Sequence, residues 1–275
     1  MLPSLSWDGR EPLLIAETLR RILILAAHPD DETIACSGLL QRADVALVVF
    51  AVDGAPPHYG FEKKFGSLHT YSATRFEEAS RALNHIPHCS MRRLTRKDGT
   101  WFQDQHLFLE LSEAFASLLQ IIREFSPNLL VSHAFEGGHV DHDACHVLSH
   151  EAARAFALPA LEFPVYWRSQ DGADVLQRFR EKCEGEFTLP LVDEEIALKQ
   201  RMICEYQTQK SLLPVFHSEL ERFRPIGKIV ADRPAWPKYP FENRRRALKT
   251  TSFLKKVTEF YGMSRVNEFH EGDIH

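Results

Sequence analysis

The sequence predicts an α/β fold: a Rossmann-like, doubly wound, mostly parallel sheet with helices on both faces and a C-terminal extension. Three features predict it: short, continuous apolar runs recur along the chain, a helix-length amphipathic segment follows most of them, and charged turns stand at two strand exits. A strand covered on both faces reads as an unbroken apolar run, not as an alternating one. Parallel strands need crossovers, and right-handed crossovers place helices on both sides of the sheet.

Ile22 to Ala27 is the first such run, and Asp31 to Arg42 reads as the helix after it. The acidic first turn of that helix suits the positive end of its dipole. Val45 to Val52 reads as a second strand, ending in Asp53-Gly54. Pro56 to Leu68 carries the proline, glycine and aromatic residues of an irregular loop. Helix is expected over Ser72 to Leu83, strand at Met91 to Leu94, a long amphipathic helix over Leu107 to Phe125, strand at Asn128 to His133 and helix over Asp141 to Ala157. The rhythm then loosens, with strands expected at Leu161 to Trp167 and Gly185 to Leu191 and a helix from Asp193 to about Gln209. Residues 1–223 are thus expected to form one domain, with residues 224–275 a Pro-rich strap and helical extension packed on it.

At 275 residues, 44% hydrophobic and 26% charged, the chain can bury a sizeable core. A formal net charge of -5 gives no basic field to recruit nucleic acid, and no apolar run is long enough to span a membrane. Arg244-Arg245-Arg246 reads as a solvated face. The five cysteines are scattered, without a C-x-x-C pair, and the first residues lack the pattern of a secretory leader, so a cytoplasmic, reducing location is expected.

The chemistry concentrates at two turns. Ala27-His28-Pro29-Asp30-Asp31-Glu32 follows the first strand, and Gly137-Gly138-His139-Val140-Asp141-His142-Asp143 follows the fourth. Asp30 or Asp31 could be a plain helix cap, with Pro29 fixing the turn. If strands one and four are neighbours across the switch point of the sheet, however, both turns open into one crevice. Two imidazoles and a carboxylate with a fourth position left open form a catalytic zinc set, which His28, Asp31 and His142 would supply. His139, three residues before His142, would then face what the metal holds. A rival set lies along the helix, where His142, His146 and His150 are spaced by four. His133 reads as a satisfied, half-buried histidine.

These two motifs together resemble those of the PIG-L/LmbE-like zinc-dependent N-deacetylases. The resemblance spans roughly residues 20 to 210, with weaker matches at Arg75-Phe76-Glu77-Glu78-Ala79 and Tyr206-Gln207-Thr208-Gln209. It implies one zinc per chain held by His28, Asp31 and His142, Asp30 as general base, His139 as oxyanion stabiliser, Asp141 favouring a protonated His139, and Arg75 as a substrate-binding residue. The implied reaction removes an N-acyl group, acetyl above all, from an amino sugar or glycan-linked amine. A zinc amidase on a non-sugar conjugate, or a non-catalytic carbohydrate-binding protein, are the alternatives on this fold. Some members carry an aromatic residue where this chain has Gly137, so the resemblance brings no aromatic lid to that position. Val140 stands where proline is commoner. Trp101, Tyr166, Trp167, Tyr206 and Trp236 could stack on a sugar, although such side chains are more often core.

Overall fold

The Arg21–Ala26 strand (β1) buries every residue from Ile22 onward, and its two faces enter two separate apolar clusters. Ile22, Ile24 and Ala26 pack on one side with Ile34, Leu39 and Phe76; Leu23 and Leu25 pack on the other with Leu118, Val147 and Leu148. That two-sided burial is why the sequence run is unbroken. A computed structural model describes residues 19–57, 60–169, 171–182, 185–216, 219–227 and 250–271.

Around β1 the chain follows the expected alternation. In order come α1 (Asp31–Arg42), β2 (Val45–Phe50), α2 (Phe61–Phe65), α3 (Leu68–Leu83), β3 (Cys89–Arg93), α4 (Leu111–Phe125), β4 (Leu129–His133), α5 (Val140–Ala155) and β5 (Ala160–Phe163). After these come β6 (Tyr166–Arg168), β7 (Asp174–Leu176), β8 (Phe187–Pro190), α6 (Asp193–Glu205), β9 (Leu220–Pro225) and α7 (Thr250–Glu271). The main sheet has the order β3-β2-β1-β4-β5-β9-β8. Strands β1 to β5 are parallel, whereas β9 runs antiparallel to both β5 and β8. The predicted α/β architecture is therefore present, with its switch point between β1 and β4.

Several local expectations are corrected. The loop expected over Pro56 to Leu68 contains the short helix α2, bounded by Gly60 and Gly66 at φ 75° and 83°. Helix α3 starts ahead of Ser72 because the Ser67 hydroxyl accepts from Thr70 N–H at 3.0 Å. The strand expected over Leu161 to Trp167 is divided at Pro164 into β5 and β6, and β6 leaves the main sheet to pair with β7. Helix α6 ends at Glu205, and Gln207–Gln209 forms a separate 3₁₀ turn.

Strand β9 was not foreseen; a buried ion pair ties it to α6 and α1. Lys199 Nζ lies 2.8 Å from Glu221 Oε1, and Gly38 N–H donates to both Glu221 oxygens at 3.0 and 3.1 Å. In α7, Phe253, Val257 and Phe260 are buried in the cluster that also holds α4 and α5 residues. Most of the Pro-rich stretch, including Trp236, and Arg244 to Arg246 lie outside the described residues. Among those described, no helix is long and apolar enough to cross a membrane.

Candidate active site

The turn leaving β1 is tightly wound. Ala27 N–H donates to His133 Nε2 at 2.9 Å, and His28 N–H donates to Asp31 Oδ2 at 2.8 Å. Asp30 then takes φ 131° and ψ -29°, a conformation L residues rarely adopt, while its carbonyl accepts from Thr33 and Ile34 N–H at 3.0 Å each. Asp30 caps α1 by position alone, since its side chain makes no cap hydrogen bond. Its Oδ2 instead lies 2.9 Å from Arg75 Nη2. The Arg75 guanidinium also donates to the carbonyls of Pro29 and Gly54, each at 2.7 Å.

The turn leaving β4 lies alongside, because β1 pairs with β4 from Ile22↔Leu129 to Leu25↔Ser132. Gly137 has φ 73°, and Asp143 Oδ1 accepts from the N–H groups of Glu136 and Gly137 at 2.9 and 3.1 Å. A Cβ on Gly138 would stand 1.8 Å from the Tyr166 carbonyl oxygen, so only glycine lets β6 approach this turn. His139 caps α5 through its side chain, with Nδ1 accepting from Asp141 N–H at 3.2 Å.

Residues more than 100 positions apart thereby converge. Asp31 Oδ2 lies 3.3 Å from His28 Nδ1, 3.5 Å from His142 Nε2 and 3.4 Å from His133 Nε2. The His28 ring meets those of His139 and His142 at centroid distances of 4.5 and 5.3 Å. Among the described residues, three groups of donor atoms, each mutually within 4.8 Å, could hold a metal ion: His28, His139 and His142; Asp31, His133 and His142; and His28, Asp104, His139 and Asp141. His28 Nε2 and His133 Nδ1 are buried ring nitrogens without a hydrogen-bond partner among the described residues. Such orphaned imidazole nitrogens beside carboxylates fit a divalent cation.

Two residues at the centre lie outside the expected set. His133 is buried and stacked on His142 at 4.1 Å. Its position at a strand exit was the available signal. Asp104 places Oδ2 3.6 Å from His28 Nε2, and no motif surrounds it in sequence. The helical rival does not assemble among the described residues: His146 Nδ1 pairs with Glu162 at 2.9 Å, and His150 Nδ1 lies 3.2 Å from Glu151.

Burial sets the electrostatics, and neighbouring charges decide the direction. Burial alone would lower the pKa of His28, but Asp104, with Asp141 and Asp31, outweighs it and holds the imidazole well above its ordinary value. For Asp31, burial is likewise outweighed, by His142 and His133, and the carboxyl lies well below its usual range. Asp30 is pushed up to about 7 by burial, with Arg75 opposing and Asp31 reinforcing. Burial and then the His28 charge take His139 down to about 3; burial and His133 do the same to His142.

Asp141 pulls His139 toward its charged form, but burial and the His28 charge outweigh it. Asp141 Oδ2 is 3.9 Å from His139 Nδ1, and the carboxylate is engaged by Gln105 and Leu107 N–H at 2.6 and 3.3 Å. It is the Asp141 backbone N–H that meets Nδ1, which assigns the proton of a neutral His139 to Nε2.

These groups line a cavity of about 410 Å³. Its polar end holds His28, Asp30, Asp31, Arg75, Asp104 and His139, while Phe61, Tyr71, Leu212 and Phe216 line apolar walls. Of the aromatic candidates, Tyr166 lines it; Trp101 instead packs under Arg93 and against Phe76. The 206–209 segment braces the site from behind. Tyr206 OH donates to Glu32 Oε1, Thr208 N–H donates to Glu78 at 2.9 Å, and Gln209 Nε2 donates to Tyr71 OH at 2.8 Å.

A family model described as PIG-L, GlcNAc-PI de-N-acetylase, matches residues 23–153. The chain is 30% identical over 176 residues to 1D-myo-inositol 2-acetamido-2-deoxy-alpha-D-glucopyranoside deacetylase of Thermobispora bispora, covering 54% of this chain and 56% of that protein. It thus spans little more than half the length of that relative. It is 25% identical over 213 residues to the probable N-acetyl-alpha-D-glucosaminyl L-malate deacetylase 2 of Bacillus subtilis, covering 74% of this chain and 90% of the relative. In fold it is similar to a triple mutant of a deacetylase of the teicoplanin biosynthetic pathway, with a TM-score of 0.58 and 21% identity over 74% of this chain and 97% of that one.

Proposed function

We propose that the chain, which a PIG-L family model matches over residues 23–153, is a zinc-dependent hydrolase that removes an acetyl group from an amino sugar or glycan-linked amine. The observation that carries this reading is the meeting of His28, Asp31, His139 and His142 beside the ion-paired Asp30 in one cavity. His28, Asp31 and His142 would hold the metal, with His133 and Asp104 against them. When bound, a divalent cation supplies Lewis acidity that polarises an amide carbonyl and makes water more acidic.

The rest of the chemistry belongs to side chains. Asp30 takes the proton of the attacking water, held in place by Arg75. His139, with Nδ1 occupied by Asp141 N–H, presents Nε2–H to the oxygen on which negative charge develops. Proton return to the leaving amine falls to Asp30, which already carries the proton taken from the water.

The test is release of free amine from N-acetylglucosamine, its glycosides and a non-sugar N-acetyl amine, with and without chelator. Release from the sugars, lost on chelation and regained with zinc, is expected, with about one metal per chain. Asp30→Ala should retain the metal while losing roughly 100-fold or more in kcat. Release from the non-sugar amide alone would move the substrate class, and no release from any N-acetyl compound by zinc-loaded protein would overturn the reading.

A further inference from the structure

Asp30 is useful as a base only if its carboxylate is held over the cavity, yet its own backbone conformation is unfavourable for a residue with a Cβ. Something must hold that peptide in place. Its N–H is bound by a side chain two residues on: Glu32 Oε2 accepts from Asp30 N–H at 3.1 Å. The other oxygen, Oε1, accepts from Thr33 Oγ1 at 2.6 Å and from the Tyr206 hydroxyl. Glu32 and Tyr206 are both fully buried, and neither lines the cavity, so neither can touch a substrate there. Burying a carboxylate beside Asp30 and Asp31 is costly, and burial raises its pKa. Mere packing would be served as well by an apolar side chain.

We propose that Glu32 is a positioning residue that fixes the strained Asp30 peptide, and that Tyr206, reaching it from the end of α6, is the brace holding Glu32 in place. The proposal rests on the reading of Asp30 as the base. It accounts for a link of 174 positions between the first motif and the 206–209 segment. Arg75 restrains the Asp30 side chain from one side, and Glu32 restrains its backbone from the other.

The test is a cycle of Glu32→Ala, Glu32→Gln, Tyr206→Phe, Asp30→Ala and the double variant Asp30→Ala/Glu32→Ala in zinc-loaded full-length protein. Deacetylation, zinc stoichiometry and thermal midpoint are read for each. Glu32→Ala is expected to lower kcat about 100-fold, as displacement of a catalytic group by an ångström does, with KM and zinc content little changed. Glu32→Gln keeps a carbonyl acceptor for Asp30 N–H and should recover most of that loss; Tyr206→Phe should fall between the two. In the Asp30→Ala background, Glu32→Ala should cost nothing further, because its effect passes through Asp30. A readout independent of turnover is amide exchange at Asp30 in zinc-free protein, expected to be at least about 10-fold faster in Glu32→Ala than in Glu32→Gln.

Should Glu32→Ala fail to fold, Glu32→Gln and Tyr206→Phe decide the matter by exchange at the Asp30 amide, and unchanged exchange in Tyr206→Phe overturns the bracing role. Full kcat in Glu32→Ala, or an undiminished loss in the double variant, overturns the positioning role. Full activity in Asp30→Ala would instead defeat the assignment of the base, a separate failure.

Discussion

Opposing forces meet at Asp30. Burial and the neighbouring Asp31 favour its neutral form, while Arg75 at 2.9 Å favours the charged one, and the outcome is a pKa of about 7. The folded value is above the ordinary value of 3.8, so folding takes up a proton between those two pH values. This group's contribution to the stability of the zinc-free fold is therefore present in acid and declines as pH rises through about 7. A cation placed beside Asp31 acts in the opposite sense and pulls Asp30 down. Carbon-detected NMR of the Asp30 carboxyl should find it titrating near 7 in zinc-free protein and lower after zinc is added. A value near 4 before zinc would show that Arg75 outweighs burial.

The same residue scale explains why His139 does not become an imidazolium in this arrangement. Its Nδ1 is already an acceptor at the start of α5, and protonating it would set N–H against N–H.

At the scale of elements, the critical contact is backbone against backbone. Helix α5 presents His139 and His142 to the cavity only because Gly138 allows the β6 carbonyl at Tyr166 to close on the turn. Gly138→Ala would drive a methyl group to 1.8 Å from that oxygen, so the hairpin or the helix start must move. Overpacking of this kind costs about 1–3 kcal/mol or more. We expect a lower denaturant midpoint together with weaker zinc affinity in a competition assay. Loss of stability with zinc affinity intact would mean that the hairpin yields and the helix does not.

At the scale of the whole molecule, the C-terminal helix packs into the same apolar cluster as α4 and α5. Phe253 in α7 is 1% exposed and packs against Phe108 at a centroid distance of 5.7 Å. We propose that the extension belongs to the same cooperative unit as the sheet. Phe253→Ala should then lower the stability of the single urea transition by about 3–5 kcal/mol. Two separate transitions, with the main one unmoved, would mark α7 as an independent appendage.

What the sequence determined by itself is local. Continuous apolar runs gave β1, β2 and β4, acidic turns marked the starts of α1 and α5, and the two dense polar motifs marked the strand exits where ligands bind in such sheets. Only the tertiary structure decided the partners. It brought Asp104 to His28 and His133 to Asp31, and it committed Arg75 to Asp30. It also added β9 antiparallel to a sheet whose sequence rhythm had already faded. Periodicity and capping act over a few residues and leave a trace in composition. A pairing such as Ala27 with His133, 106 positions apart, is set by sheet register and leaves none.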